Sequence, residues 1–78
     1  LADDVLISRQ EYERLIEAMN SLDTKHRAVL VLRYFNDLSY EEIAQAVGIP
    51  LGTVKSRINH GLKLLRGQLD AQQREALG

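Results

Sequence analysis

Between Gly52 and Lys63 the sequence carries a run of side chains whose types and spacing suit hydrogen bonding to a polyanion. Projected on a helix at about 100° per residue, Val54, Ile58, Gly61, Leu62 and Leu65 share one face. Gly52, Ser56, Asn59, His60 and Lys63 stand opposite, with Lys55 and Arg57 on the flanks. The outer face has no large apolar group near its N-terminal end, and every side chain beyond glycine can hydrogen-bond. In a DNA major groove, Asn and Lys can address adenine and guanine edges, while Ser is short and permissive. Lys55, Arg57 and Arg33 suit phosphate anchoring, which fixes register without reading sequence. A helix opening at Ser39 and Tyr40 can add backbone N–H contacts to a phosphate. Each feature also has a bland reading. Charge on a helix is usually a solvated face, and a lone histidine such as His60 is usually an exposed surface residue.

Other chemistries find no support in the residues. The chain has no cysteine, so disulfides and thiolate metal sites are excluded. His26 and His60 lie far apart in sequence with no matching ligand cluster, so no metal site is expected. Glu41 and Glu42 diverge as neighbouring helix positions and make no catalytic pair. Without a nucleophile–base pair or a phosphate loop, no catalytic residues, cofactor or small-molecule substrate are expected, and the chain reads as something other than an enzyme. No apolar run approaches the roughly 18–20 residues that span a bilayer, which excludes insertion by a membrane helix. A soluble cytoplasmic domain is the expectation. The first residue is Leu1 rather than methionine, which suggests a piece of a longer protein.

The 78 residues leave room for one domain with a modest core. Five glycines and the single Pro50 favour helices over a loop-rich or all-β design. Net charge is −1, but its distribution is uneven. Residues 1–24 carry six acids and two bases, a balance of −4, while residues 51–78 carry five bases and two acids, a balance of +3. That asymmetry points to a basic surface at one end and a different surface at the other.

Four helices must position the polar face, so the fold class expected is all-α: a small four-helix domain containing a helix-turn-helix. Residues 1–7 read as a linker remnant. Ser8 and Glu11 have the spacing of a capping box, with Ile7 able to staple against Tyr12. Tyr12, Leu15, Ile16, Met19 and Leu22 then make one apolar stripe, and the first helix should end near Asn20 or Ser21. Asp23 or Thr24 can cap a second helix running to about Phe35, which is apolar nearly all round and therefore wants contacts on several faces. Asn36 and Asp37 make a turn. Ser39 and Glu42 form a second capping box, with Leu38 able to staple against Ile43, and the third helix stops at Gly48. The fourth helix starts at about Leu51, with Val54, Ile58, Leu62, Leu65 and Leu69 as its buried stripe. The domain proper is expected over 8–70, followed by a polar, frayed tail at 71–78.

Residues 39–60 carry the organising pattern. Two helices are joined by Gly48-Ile49-Pro50, and Ala44 lies four residues before Gly48, where a small side chain lets helices cross closely. Ile43, Val47, Ile49, Val54 and Ile58 supply the wedge between them. This is helix-turn-helix geometry, whose second helix enters the major groove.

The segments Arg27-Ala28-Val29-Leu30-Val31-Leu32-Arg33-Tyr34, Leu38-Ser39-Tyr40-Glu41-Glu42-Ile43-Ala44 and Gly52-Thr53-Val54-Lys55-Ser56-Arg57 together resemble region four of sigma factors. The likeness is strongest to the extracytoplasmic-function group and covers roughly residues 8–69. It implies a domain that reads the minus-thirty-five promoter element in double-stranded DNA and docks on the flap of the RNA polymerase β subunit. It also implies base contacts at Lys55, Ser56, Asn59 and His60, and backbone contacts at Arg33, Tyr40, Thr53 and Arg57; Ser39 at the start of the third helix and Lys63 on the outer face join the expected backbone set from the residues themselves. An anti-sigma factor is a further partner that the resemblance implies. Two departures stand out: many relatives carry proline at the place of Asp23 and arginine at the place of His60, so the base preferred there is open. Two alternatives stay open as well, a response-regulator output domain and a sigma-like interaction module without DNA binding.

Overall fold

The computed structural model describes residues 7–78; apart from Ile7, the expected linker remnant at 1–7 lies outside the described residues. Four helices follow in order: α1 (Arg9–Asn20), α2 (Thr24–Leu30), α3 (Tyr40–Val47) and α4 (Leu51–Leu77). There is no strand among the described residues, and the all-α expectation holds.

Three of the boundaries follow from local chemistry. At α1 the Ser8 Oγ accepts from the Glu11 N–H while the Glu11 carboxylate accepts from the Ser8 N–H, each at 3.0 Å. At α3, Ser39 and Glu42 repeat the reciprocal pair at 2.8 and 3.0 Å. Each pair satisfies two helix-end donors that would otherwise need water. Both capping boxes were legible from spacing. The Ser8 bonds also hold the exposed Glu11 carboxyl below its ordinary range, the backbone N–H having the larger effect. Gly48 ends α3 at φ 77°, and its N–H returns to the Ala44 carbonyl at 2.9 Å. That left-handed conformation is free for glycine and strained for any other residue.

The second apolar segment departs from the single helix expected of it. It does not run as one α-helix to Phe35: α2 ends at Leu30 and the backbone widens into a π-helical turn over Val31–Phe35. The Asn36 N–H accordingly reaches five residues back, to Val31 O at 3.1 Å. A π turn inserts extra backbone and so changes which way the following side chains face. Val29 and Leu30 are buried, whereas Tyr34 and Phe35 stand about half exposed. This divides the all-round apolar pattern into an inner and an outer part.

The core is formed by Met19, Leu22, Val29, Leu30, Ile43, Val54 and Ile58, with Leu15, Leu38, Ile49 and Leu65 packed against it. Three expectations about side-chain facing need correction. Tyr12 and Ile7 are both about half exposed, and Ile7 lies along a groove with Leu15 and Leu69 rather than with Tyr12. Val47 is more exposed than a wedge residue should be. Leu62, placed on the buried stripe of α4, is 38% exposed, because Gly61 takes the inward position. A Cβ at Gly61 would lie 3.2 Å from Leu30 Cδ1, so α2 and α4 approach closely at this point.

The expected boundary at Asp70 also moves. Helix α4 continues through the polar residues to Leu77. At about 1.5 Å per residue it is roughly 40 Å long, the length of the molecule. The continuation has a physical anchor: Gln72 Nε2 donates to Arg14 O at 3.1 Å and to Glu17 Oε1 at 3.2 Å, tying the end of α4 to α1.

Candidate nucleic-acid interface

Helices α3 and α4 are joined by Gly48-Ile49-Pro50, as the sequence pattern required. Ile43 and Val54 are fully buried between them, Ile58 is 1% exposed, and Ala44 and Ile49 pack alongside. This wedge leaves one direction for the opposite side of α4. Lys55, Ser56, Asn59, His60 and Lys63 all face solvent, while Thr53 and Arg57 sit half-buried at the edges. The outer face therefore presents donors and acceptors with no apolar side chain among them over the first two turns.

The backbone set is arranged around the start of α3. Arg33 donates from Nη1 to Leu38 O at 2.9 Å, and its guanidinium carbon lies 4.8 Å from the centre of the Tyr40 ring. One cation thus ties the middle of the π turn to the first residue of α3 across a bend in which Asp37 takes φ 62°. A cation–π contact of this kind contributes about 0.5–1 kcal/mol at a partly exposed site. Arg33, expected as a phosphate anchor, has an internal task that spacing did not reveal. Its planar fork carries five N–H donors, so others remain beyond the one used. Ser39 spends its hydroxyl on the Glu42 N–H. What α3 offers outward at Tyr40 and Glu41 is backbone N–H, which has no acceptor within a helix's first turn.

His60 brings a contact that the sequence hid. Its ring meets His26 edge to face, with centroids 4.8 Å apart and an interplanar angle of 89°. The two histidines, far apart in the chain, are neighbours in space. His26 is buried, and its Nδ1 bonds Asp23 Oδ1 at the start of α2. A carboxylate only accepts, so Nδ1 carries the proton in this bond. Accepting it lowers the Asp23 carboxyl below its ordinary range, and desolvation opposes this more weakly. Asp23 occupies the N-cap position of α2, and its side chain makes no capping hydrogen bond. No cluster of three or more metal-ligating side chains occurs among the described residues.

On the other side of the molecule, Leu15, Met19, Leu30, Tyr34, Phe35, Leu62 and Leu65 line an open apolar cavity of about 280 Å³. Among the described residues, no helix is long and apolar enough to cross a membrane.

Comparison with known proteins agrees with this geometry. The family described as Sigma-70, region 4 matches residues 12–65, which include the whole helix-turn-helix. The ECF RNA polymerase sigma factor SigW of Bacillus subtilis is 39% identical over 69 residues, 88% of this chain and 37% of the relative. The ECF RNA polymerase sigma factor RpoE of Cereibacter sphaeroides is 43% identical over 63 residues, 81% of this chain and 35% of the relative. The RNA polymerase sigma-E factor of Streptomyces antibioticus is 42% identical over 62 residues, 80% and 34% of the two chains. The chain therefore spans little more than a third of the length of these curated relatives. The matches run against the response-regulator alternative.

Proposed function

From the premise that this chain belongs to the sigma-70 region 4 family, in the form found in ECF sigma factors, we propose that it binds the minus-thirty-five element of promoter DNA as part of a factor that directs RNA polymerase to promoters. The observation that carries the proposal is the outer face of α4. Lys55, Ser56, Asn59 and His60 are exposed together on a helix whose inner face is locked by Val54 and Ile58. With α4 in the major groove, Asn59 pairs with an adenine edge, Lys55 and His60 address acceptors such as guanine N7, and Ser56 allows close approach. Thr53, Arg57 and Lys63 contact phosphates along the groove, with Tyr40 and Ser39 contributing from the start of α3. Arg33 supports them mainly by holding Tyr40 and the Leu38 turn in place.

The apolar cavity beside Tyr34, Phe35 and Leu62 is the surface we assign to protein partners. Docking of the polymerase β-subunit flap there would cover Leu62 and Leu65 but leave the polar face of α4 free for DNA. An anti-sigma factor covering the same side chains would keep the domain off polymerase. In this proposal the protein acts in the cytoplasm and carries out no enzymatic step of its own.

The test is selection of duplexes from a randomised library by the 78-residue chain at low salt. A short asymmetric motif is expected, with affinity falling steeply as salt rises because Lys and Arg contacts release counterions. Enrichment of no motif would leave the interaction-module reading in its place.

A further inference from the structure

We propose that His26, buried on α2, is a positioning residue for DNA reading: it sets the orientation of the His60 imidazole on α4. The inference rests on the DNA-binding reading above, and it goes beyond that reading by assigning specificity to a residue that touches no DNA.

The geometry runs through one bond at the start of α2 and two contacts between α2 and α4. Asp23 accepts from His26 Nδ1, which fixes both the tautomer and the plane of the His26 ring. Only 10% of the His26 side chain is exposed, so the ring has little room to swing. Gly61 brings α4 against α2 here: a Cβ on it would stand 3.6 Å from His26 Cβ as well as close to Leu30. The neighbouring residue on α4 is His60, whose ring is held edge to face at 4.8 Å. An exposed histidine without such a neighbour samples several rotamers, and binding must then restrict it. Against a fixed ring that loss is already taken in the free protein.

The experiment is a double-mutant cycle on DNA affinity, using the duplex that the unaltered chain enriches from the randomised library. His60→Ala should weaken binding about tenfold and relax preference at one base position. His26→Gln keeps an amide donor for Asp23 but has no ring, and should weaken binding about fivefold with relaxation at that same position. In the His60→Ala background the His26→Gln change should cost less than twofold, because its effect passes through His60. His26→Phe restores a ring of similar thickness and should recover most of the affinity of the unaltered chain. Thermal unfolding followed by circular dichroism shows whether each variant is folded at the assay temperature.

Equal losses for His26→Gln in both backgrounds would overturn the inference, as would an unchanged base preference in every residue-26 variant. Unchanged binding by His60→Ala would overturn it too, while leaving the DNA-binding reading intact. Failure of the unaltered chain to enrich any duplex would remove the DNA-binding reading and this inference with it.

Discussion

The two sides of the molecule use apolar residues in opposite ways. Between α3 and α4, Ile43, Val54 and Ile58 are almost entirely buried, and what remains outside is polar. Between α1, the π turn and α4, Tyr34, Phe35 and Leu62 keep large apolar area in contact with water. Both arise from neighbouring segments of one small chain, so composition alone does not separate them. The separation comes from backbone devices: a left-handed glycine at 48 that lets α4 cross α3, and a π turn at 31–35 that redirects two aromatic residues. One side is finished by its own packing. The other leaves apolar side chains open to water, and a large exposed apolar patch of this kind is a feature of protein-binding surfaces.

The difference can be broken most severely from the buried side. Ile43→Ala should lower the free energy of unfolding by about 2–5 kcal/mol, read as a fall in the urea midpoint. Phe35→Ser, an equally drastic loss of apolar area on paper, should lower it by less than about 1 kcal/mol because the ring is already half in water. Its effect should appear instead as weaker capture by the polymerase flap. If Phe35→Ser were as destabilising as Ile43→Ala, the cavity would be core rather than docking surface.

On the polar side, Asn59→Ala should leave stability unchanged and remove about 1–3 kcal/mol of discrimination at a single base. A uniform loss over all sequences would move Asn59 to the phosphate contacts. Gly48→Ala tests the device that sets the crossing. Nothing lies within 4 Å of a Cβ there, so the cost is backbone strain alone, about 1–2 kcal/mol in unfolding free energy. A change near zero would mean that the turn can re-form without the left-handed residue.

The smallest effect concerns Asp23. Its carboxyl is lowered below the ordinary value by the bond from His26. A group depressed in the folded state contributes stability that is complete above its unfolded value and lost as pH falls through the folded one. Asp23→Asn should therefore unfold at a lower urea concentration than the unaltered chain at neutral pH. The gap should close in acid below the ordinary carboxylate range. A gap that persists there would assign the effect to packing rather than to charge.

Much of this comparison was legible in the sequence where the determining interactions are local. Ser8 with Glu11, Ser39 with Glu42, and Gly48 before Pro50 each act within a few residues, so spacing was sufficient to place three helix boundaries. The outer face of α4 followed from period alone. What escaped depended on distant partners. Leu62 fits a buried stripe by period, yet the close approach at Gly61 turns it outward. The π turn leaves an apolar segment looking like any buried helix, because periodicity does not register one extra residue in a turn. Residues 71–77 looked like a fraying tail until Gln72 met Arg14 and Glu17 on a helix far away in the chain. The His26–His60 contact had no local signal at all.

The most direct measurement is amide chemical-shift mapping of the isotope-labelled chain titrated with its selected duplex. Shifts are expected at Ser39, Tyr40 and along Gly52–Lys63, with none at Leu15, Tyr34 or Phe35. Shifts concentrated around the apolar cavity, with Ser56 and Asn59 unmoved, would contradict the assignment of DNA to the polar face of α4 and partners to the apolar cavity.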